Sequence, residues 1–464
     1  MKLTVISQAC LLIESGTDRL IIDPWILGSC YWRSWWLFPP ARDDLVDPQT
    51  ITAIYFTHEH PDHFHFPSLR RFPQSVRILV PRFPAPRMAT QLHERGYSRV
   101  EEIPHAASAR VGPLEVFSYQ SGGDDSAVVV TDGTTTVLNM NDAKPAELAL
   151  KQILRRHPRV DFLLRSHAPA QSYPFCYTAT DPRVLELVPL SFYTDSFAAL
   201  ARLVKPRWAI PFASNVCHLH PESIEQNRYL VSPDDVLEAC RHKVGDAQIV
   251  PMSPGDSWER SAGFTLAPRP SRDETGRRLA ELREEKSPTL RRAAAEEQAI
   301  PDLDFEAFEP YFAAFAAAVP WPLRRLFASR VAFAAPAGGF FVVDLGSRRV
   351  ERAATLPDNV HSVVRVDFHM LRDAVEKQGV SLVGISKRVR IHVHGGSISN
   401  DAAFWGLLTF YELGYFPLRK LLNGRAIAAL ARRWREIVGA LPIFLGGPNV
   451  LERVIDLKQP RSSP

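Results

Sequence analysis

The stretch ITAIYFTHEHPDHFHF, residues 51–66, constrains the fold of this chain more than any other. ITAIYF is an apolar run of strand length, and it leads directly into four histidines, His58, His60, His63 and His65, with Asp62 among them. A buried strand that ends in so many ligand-type side chains delivers them to the edge of a sheet. In extended backbone alternate side chains face the same way, so His58 and His60 are expected to converge on one metal ion. Pro61 stops the ladder and turns Asp62 and His63 toward a second, adjacent position. Imidazole mixed with carboxylate suits zinc or non-haem iron. The competing reading of H-x-H-x-D-H is a solvated loop after a strand. His65 lies outside the pattern and reads as an outer residue or a surface one.

A site for two ions needs a bridging ligand and further histidines. TTTVLNMNDA ends a strand at Asp142, whose carboxylate is placed to bridge; the alternative is a turn-capping aspartate. FLLRSH ends a strand at His167, and IPFASNVCHLHP follows another with His218 and His220. Either loop can close the second position, and a surface role competes for each histidine.

A chain of 464 residues exceeds the size at which single cores stop growing, so two domains are expected. A net charge of +4 offers no electrostatic footprint for nucleic acid. Five cysteines without a CxxC pair argue against a disulfide framework and for a reducing, cytoplasmic setting. The N-terminus reads as paired strands, not a signal peptide, and no apolar run reaches the length of a transmembrane helix. The run YFAAFAAAV, residues 311–319, reads as a helix face in a core.

Residues 1–267 alternate short strands with helical patterns at 146–156 and 191–204, which implies a layered α/β domain. LLIES and RLIID flank a turn at Gly16, and AVVV and TTTVLN flank one at Gly133. Residues 268–302 are densely charged with mixed signs and read as a linker with some solvated helix. Residues 303–450 read as a second, α+β domain: a hairpin in GFFVVDLGSRRVERAA, a helix in FHMLRDAVEKQG and a strand in RVRIHVHG. Residues 451–464 read as a frayed tail. The loop WILGSCYWRSWWLFPP carries Trp25, Tyr31, Trp32, Trp35 and Trp36; it is expected either to wall a substrate pocket or to pack against the second domain. Arg33 and Arg42 nearby offer charge for an anionic group.

RLIIDPW, the H-x-H-x-D-H loop and an aspartate at a later strand end together resemble the metallo-β-lactamase superfamily. The resemblance implies an αββα sandwich with a dinuclear site at one edge of its two sheets. SQACLLIESGTDRLIIDPW, HEHPDHFHFPSLRR, DDSAVVVTDGTTTVLNMNDAKP and AIPFASNVCHLHP resemble the CMP-N-acetylneuraminate hydroxylase family, taken without its N-terminal Rieske domain. RVDFHMLRDAVEKQGVSLVGISKRVRIHV resembles the end of that family, which implies a sterol-carrier-like C-terminal module. There are departures. Gln8 stands where the hydroxylase family has a histidine, and Gln120 and Ser121 stand where the superfamily often has one. His167 or His218 is expected to compensate. The chain is expected to lack the paired C-x-H and C-x-x-H ligands of a Rieske cluster, so electrons for any oxidation are expected from another protein or from the substrate.

Three functions follow as expectations. The first is a diiron hydroxylase or oxygenase acting on a small molecule, its ions held by His58, His60, Asp62, His63, Asp142 and His167 or His220, and supplied by an external ferredoxin or reductase. The second is a dizinc hydrolase of an ester, lactone, amide or phosphodiester, with Asp62 orienting the nucleophile. The third is a non-catalytic binding protein with a degraded metal site. Sequence leaves the oligomeric state open. If Asp142 bridges the ions, Asp142→Ala should lower bound metal well below that of a control such as Asp125→Ala, measured by metal analysis of the purified proteins.

Overall fold

The structure is a computed structural model that describes residues 1–145 and 147–444. The expected tail, 451–464, and the last residues of the expected second domain, 445–450, lie outside the described residues.

Two sheets stack face to face. One has eight strands, in the order Gly263–Thr265, Ser257–Glu259, Lys2–Val5, Leu11–Ser15, Asp18–Ile22, Ala53–Tyr55, Arg77–Pro81, Val100–Ile103. The other has seven, in the order Gln248–Ile249, Trp208–Phe212, Phe162–Ser166, Thr136–Asn141, Asp125–Thr131, Leu114–Ser121, Ala107–Val111. The period-two rule sorts their side chains. Leu11, Ile13, Leu20, Ile22 and Tyr55 point inward and meet Val116, Val128, Val130, Val137, Phe162 and Ile210 of the other sheet. Leu12, Ile21, Ile54, Ile78 and Val80 point outward, under Met88 and Leu92 of helix Arg87–Glu94. On the far side Val129, Leu138 and Leu163 pack under helices Glu147–Arg156, Ser191–Val204 and Pro233–Cys240. Both faces of each sheet are buried, which is why its strands read as near-continuous apolar runs. The turns at Gly16 and Gly133 lie in the left-handed region, at φ 62° and 83°.

This topology fixes where chemistry can happen. Strands Asp18–Ile22, Ala53–Tyr55 and Arg77–Pro81 run parallel, and so do Thr136–Asn141, Phe162–Ser166 and Trp208–Phe212. The carboxyl ends of such strands open onto one rim. Asp23 and Asp142 follow directly on strands of these two sets, and His58 comes three residues after Tyr55.

A third sheet, of six strands, contains Arg330–Ala334, Phe340–Asp344, Arg349–Ala353, Ser362–Val366 and Val389–Val393, and adds Tyr177–Ala179 from the N-terminal part as an edge strand. Its core is aromatic: Phe308, Phe312 and Phe315 of helix Phe305–Ala318 pack on Phe333 and Phe404. The charged stretch 268–302 forms a 27-residue helix, Arg272–Gln298. It is not solvated all round. Leu279, Leu282 and Leu290 rest on Trp36, Cys217 and Leu219.

Candidate metal centre

Asp23 organises the rim. It sits at φ 46°, a left-handed conformation that aspartate tolerates better than most residues, and it is completely buried. Its carboxylate accepts from the Thr57 backbone N–H at 2.7 Å, the Thr57 hydroxyl at 2.6 Å and Asn141 Nδ2 at 2.6 Å. It also takes His63 Nδ1 at 2.8 Å. That bond leaves the other ring nitrogen, Nε2, free to face the cluster. Asn141, at φ 41°, ends its strand in the same left-handed way and swings Asp142 to the rim.

Around this post the cluster is dense. One ligand atom each from His58, His63 and Asp142 lie within 4.8 Å of one another. His63 Nε2 is 3.3 Å from Asp62 Oδ2 and 3.5 Å from Asp142 Oδ2. Buried as it is, it has no hydrogen-bond partner. His58 Nε2 lies 2.9 Å from His60 Nδ1, a separation at which both rings can offer lone pairs to one ion. His58 is thus central, touching His60 on one side and His63 on the other.

Two further carboxylates arrive from the turn after Gly122. Asp125 Oδ1 is 3.5 Å from His58 Nδ1, and Asp124 Oδ2 is 3.5 Å from His60 Nε2. Sequence reading missed both, and took Asp125 as a control site. The signal available was the adjacency of GGDD to the histidine departure at Gln120 and Ser121. Those two residues do not reach the cluster: Gln120 donates to the Ile103 carbonyl and the Ser118 hydroxyl. Gln8, the other departure, donates to Asp62 Oδ2 at 3.1 Å. Tyr31 donates to the other oxygen, Asp62 Oδ1, at 2.5 Å.

The electrostatics show a cluster short of positive charge. Burial, with His63 and His60 alongside, pushes His58 well below the ordinary histidine range, so one ring nitrogen keeps its lone pair. Burial pulls His63 the same way, but the Asp62 and Asp23 carboxylates outweigh it and raise His63 well above that range. Burial together with the charges of Asp142 and Asp124 drives Asp125 well above the usual carboxylate range. A cation among these carboxylates relieves what a single imidazolium must otherwise offset.

Two expected ligands lie elsewhere. His167 is buried outside the group formed by His58, His63 and Asp142, and its Nε2 donates to the Val231 carbonyl at 3.0 Å. His220 faces Glu222 and Glu297, whose carboxylates are bound to Arg388, beside the long helix. His218 packs edge-on to Trp35. His65 caps the short helix Phe66–Leu69 through Ser68. The aromatic loop is mostly structural: Trp32 donates to Asp373 and Trp35 to the Ile385 carbonyl, and Tyr31 alone reaches the cluster. Arg33 and Arg42 are paired with Glu296 and Asp44.

The expected absence of Rieske spacings is not met. Cys217-x-x-His220 and Cys240-x-His242 do occur in the chain, in the reverse of the sought order. Their cysteines belong to separate cores, Cys217 with Trp36 and Leu219 and Cys240 beneath Val236, and among the described residues no metal-capable cluster contains a cysteine.

Asp23→Ala should weaken metal binding by about 10–100-fold, the usual cost of losing an outer-shell partner. Asp125→Ala should also lose metal, so exposed Asp47 replaces it as the control. Chelator competition on the purified variants measures both.

Residues 18–168 match the beta-lactamase superfamily domain. A protein of Mycolicibacterium smegmatis named as a Rieske 2Fe-2S iron-sulfur protein is 29% identical over 244 residues, covering 49% of this chain and 46% of its own length. The chain thus spans about half the length of the curated relatives it matches most extensively. Cytidine monophosphate-N-acetylneuraminic acid hydroxylase of Cricetulus griseus is 33% identical over 75 residues, covering 16% of this chain and 13% of the hydroxylase. Among solved structures, CmlA, a diiron beta-hydroxylase from Streptomyces venezuelae, covers 56% of this chain and 54% of its own at a TM-score of 0.39 and 17% identity. The chain carries a beta-lactamase superfamily domain in residues 18–168, and its two-sheet body has the metallo-β-lactamase fold.

Proposed function

We propose that this chain is a metal-dependent enzyme with a dinuclear centre that oxidises a small molecule. His58, His60, Asp62, His63 and Asp142 would hold a pair of iron ions, with Asp125 and Asp124 behind the rings of His58 and His60. The observation that carries the reading is His63 Nε2: a fully buried imidazole nitrogen with no hydrogen-bond partner, facing two carboxylates and a second histidine. Buried polar atoms are nearly always satisfied, and a cation satisfies this one together with its neighbours.

When bound, iron supplies the redox chemistry of oxygenation, and zinc in its place supplies the Lewis acidity of hydrolysis. The protein supplies geometry. Asp23 fixes the ring orientation of His63. Gln8 and Tyr31 hold the two oxygens of Asp62, and burial raises the Tyr31 phenol well above its ordinary range, so it stays a donor. Gln8 therefore serves the cluster, which weakens the reading of a degraded site.

Oxidation is favoured by the relatives' names, one a Rieske iron-sulfur protein over about half of this chain, the other a hydroxylase over a short stretch. On this reading electrons arrive from a separate ferredoxin or reductase. Five unpaired, buried cysteines fit a reducing compartment such as the cytoplasm. Among the described residues no helix is long and apolar enough to cross a membrane. Hydrolysis is the second reading, supported by the fixed pose of Asp62, which suits orienting a nucleophilic water.

The test is metal analysis after expression with iron and zinc both available, followed by oxygen uptake with a chemical reductant. Iron-loaded protein with reductant-dependent uptake is expected. Protein loaded with zinc that consumes no oxygen under any reductant would remove the oxidative reading and leave the hydrolytic one.

A further inference from the structure

The turn Gly122–Asp125 joins strand Leu114–Ser121 to strand Asp125–Thr131 and brings Asp124 to His60 and Asp125 to His58. Two adjacent glycines give such a turn little rigidity of its own. Its restraints come from the far end of the chain. Gly122 N–H donates to Glu436 Oε1, Arg433 Nη2 donates to the Gly122 carbonyl, and the Tyr415 hydroxyl donates to the Gly123 carbonyl, each at 2.5 Å. Arg433 and Glu436 pair with each other at 2.9 Å, their side chains 5% and 8% exposed. Gly123 is pressed against the same segment: a Cβ there would lie 3.1 Å from Leu413 and 3.3 Å from Phe410. Both backbone polar groups of Gly122 are thus bound to residues 433–436, and the turn lies where that segment docks.

The same segment reaches the other side of these histidines. Arg87 holds Glu59, the residue between His58 and His60, and also donates to the Glu412 carbonyl. The His63 half of the cluster is tied differently, through Asp23, Thr57 and Asn141.

We infer that residues 412–436 clamp one half of the metal centre: Arg433, Glu436 and Tyr415 are positioning residues that hold Asp125 and Asp124 against His58 Nδ1 and His60 Nε2, the ring nitrogens opposite those that face the ion, and so fix both imidazoles of the His58–His60 half. The inference rests on the dinuclear reading above. It gives the C-terminal segment a task in the centre: the His58–His60 half binds its ion only when the segment is docked, and the His63–Asp142 half binds without it.

Cobalt(II) titration of the full metal-free chain, with chelator competition and visible absorption, tests this. Wild type should take up a first and a second equivalent. In Arg433→Gln and Glu436→Gln the second equivalent should bind about 10–100-fold more weakly with an altered absorption spectrum, while the first is unchanged. Tyr415→Phe, a milder change, should shift the same step in the same direction. Arg425→Gln is the control: Arg425 ties the same segment to Glu102 without touching the turn. Melting curves of the metal-free variants check that each is folded. If Arg433→Gln, Glu436→Gln and Tyr415→Phe bind both equivalents as wild type does, the clamp is wrong and the dinuclear reading stands. Equal weakening in Arg425→Gln overturns the assignment to the turn-binding residues. A wild type that takes up no cobalt removes the dinuclear reading, and the clamp with it.

Discussion

The carboxylate of Asp23 ties the structure to its chemistry. It is buried at the end of one strand and binds the backbone and side chain of Thr57 at the end of the next, both in the eight-stranded sheet. It also binds Asn141 at the end of a strand in the seven-stranded sheet, and His63 in the histidine loop. One buried charge therefore registers the two sheets against each other where their parallel strands end. Burying a charge is costly unless it is paired and hydrogen-bonded, and these four contacts meet that condition. Without them the rim would still be a rim, but the imidazole of His63 would have no fixed face.

The second constraint is charge. Asp62, Asp124, Asp125 and Asp142 converge on three imidazoles within a largely buried volume. Like charges at these separations cannot all be ionised without a counter-charge, which appears as Asp125 pushed toward its neutral form and His63 pushed toward its charged one. Both displacements vanish if cations sit between the groups. The geometry and the electrostatics thus ask for the same thing, although one is read from an unpartnered ring nitrogen and the other from mutual repulsion.

Much of this was legible in the sequence, for definable reasons. The strands were, because burial on both faces leaves apolar runs such as ITAIYF and VDFLLRS that few other structures explain. The H-x-H-x-D-H loop was, because Pro61 and the spacing leave little choice of direction. Asp142 was expected at a strand end and stands there. Asp124 and Asp125 were missed because their approach depends on a long-range partner, the 412–436 segment, that no local pattern reveals. His167 and His220 were expected nearer than they are because a histidine after a strand says nothing about its χ angles: His167 is taken by the Val231 carbonyl, and His220 faces carboxylates held by Arg388. The charged helix Arg272–Gln298 hid its role for the opposite reason, its few leucines being outnumbered by solvated residues.

Anomalous scattering from crystals of the full chain, collected at the iron and zinc edges, bears most directly on the central claim. Two neighbouring peaks, one contacting His63 Nε2 and Asp142 and the other contacting His58 Nε2 and His60 Nδ1, are the predicted result. A map with no peak there, and His63 Nε2 hydrogen-bonded to a side chain or an ordered water instead, would contradict the account.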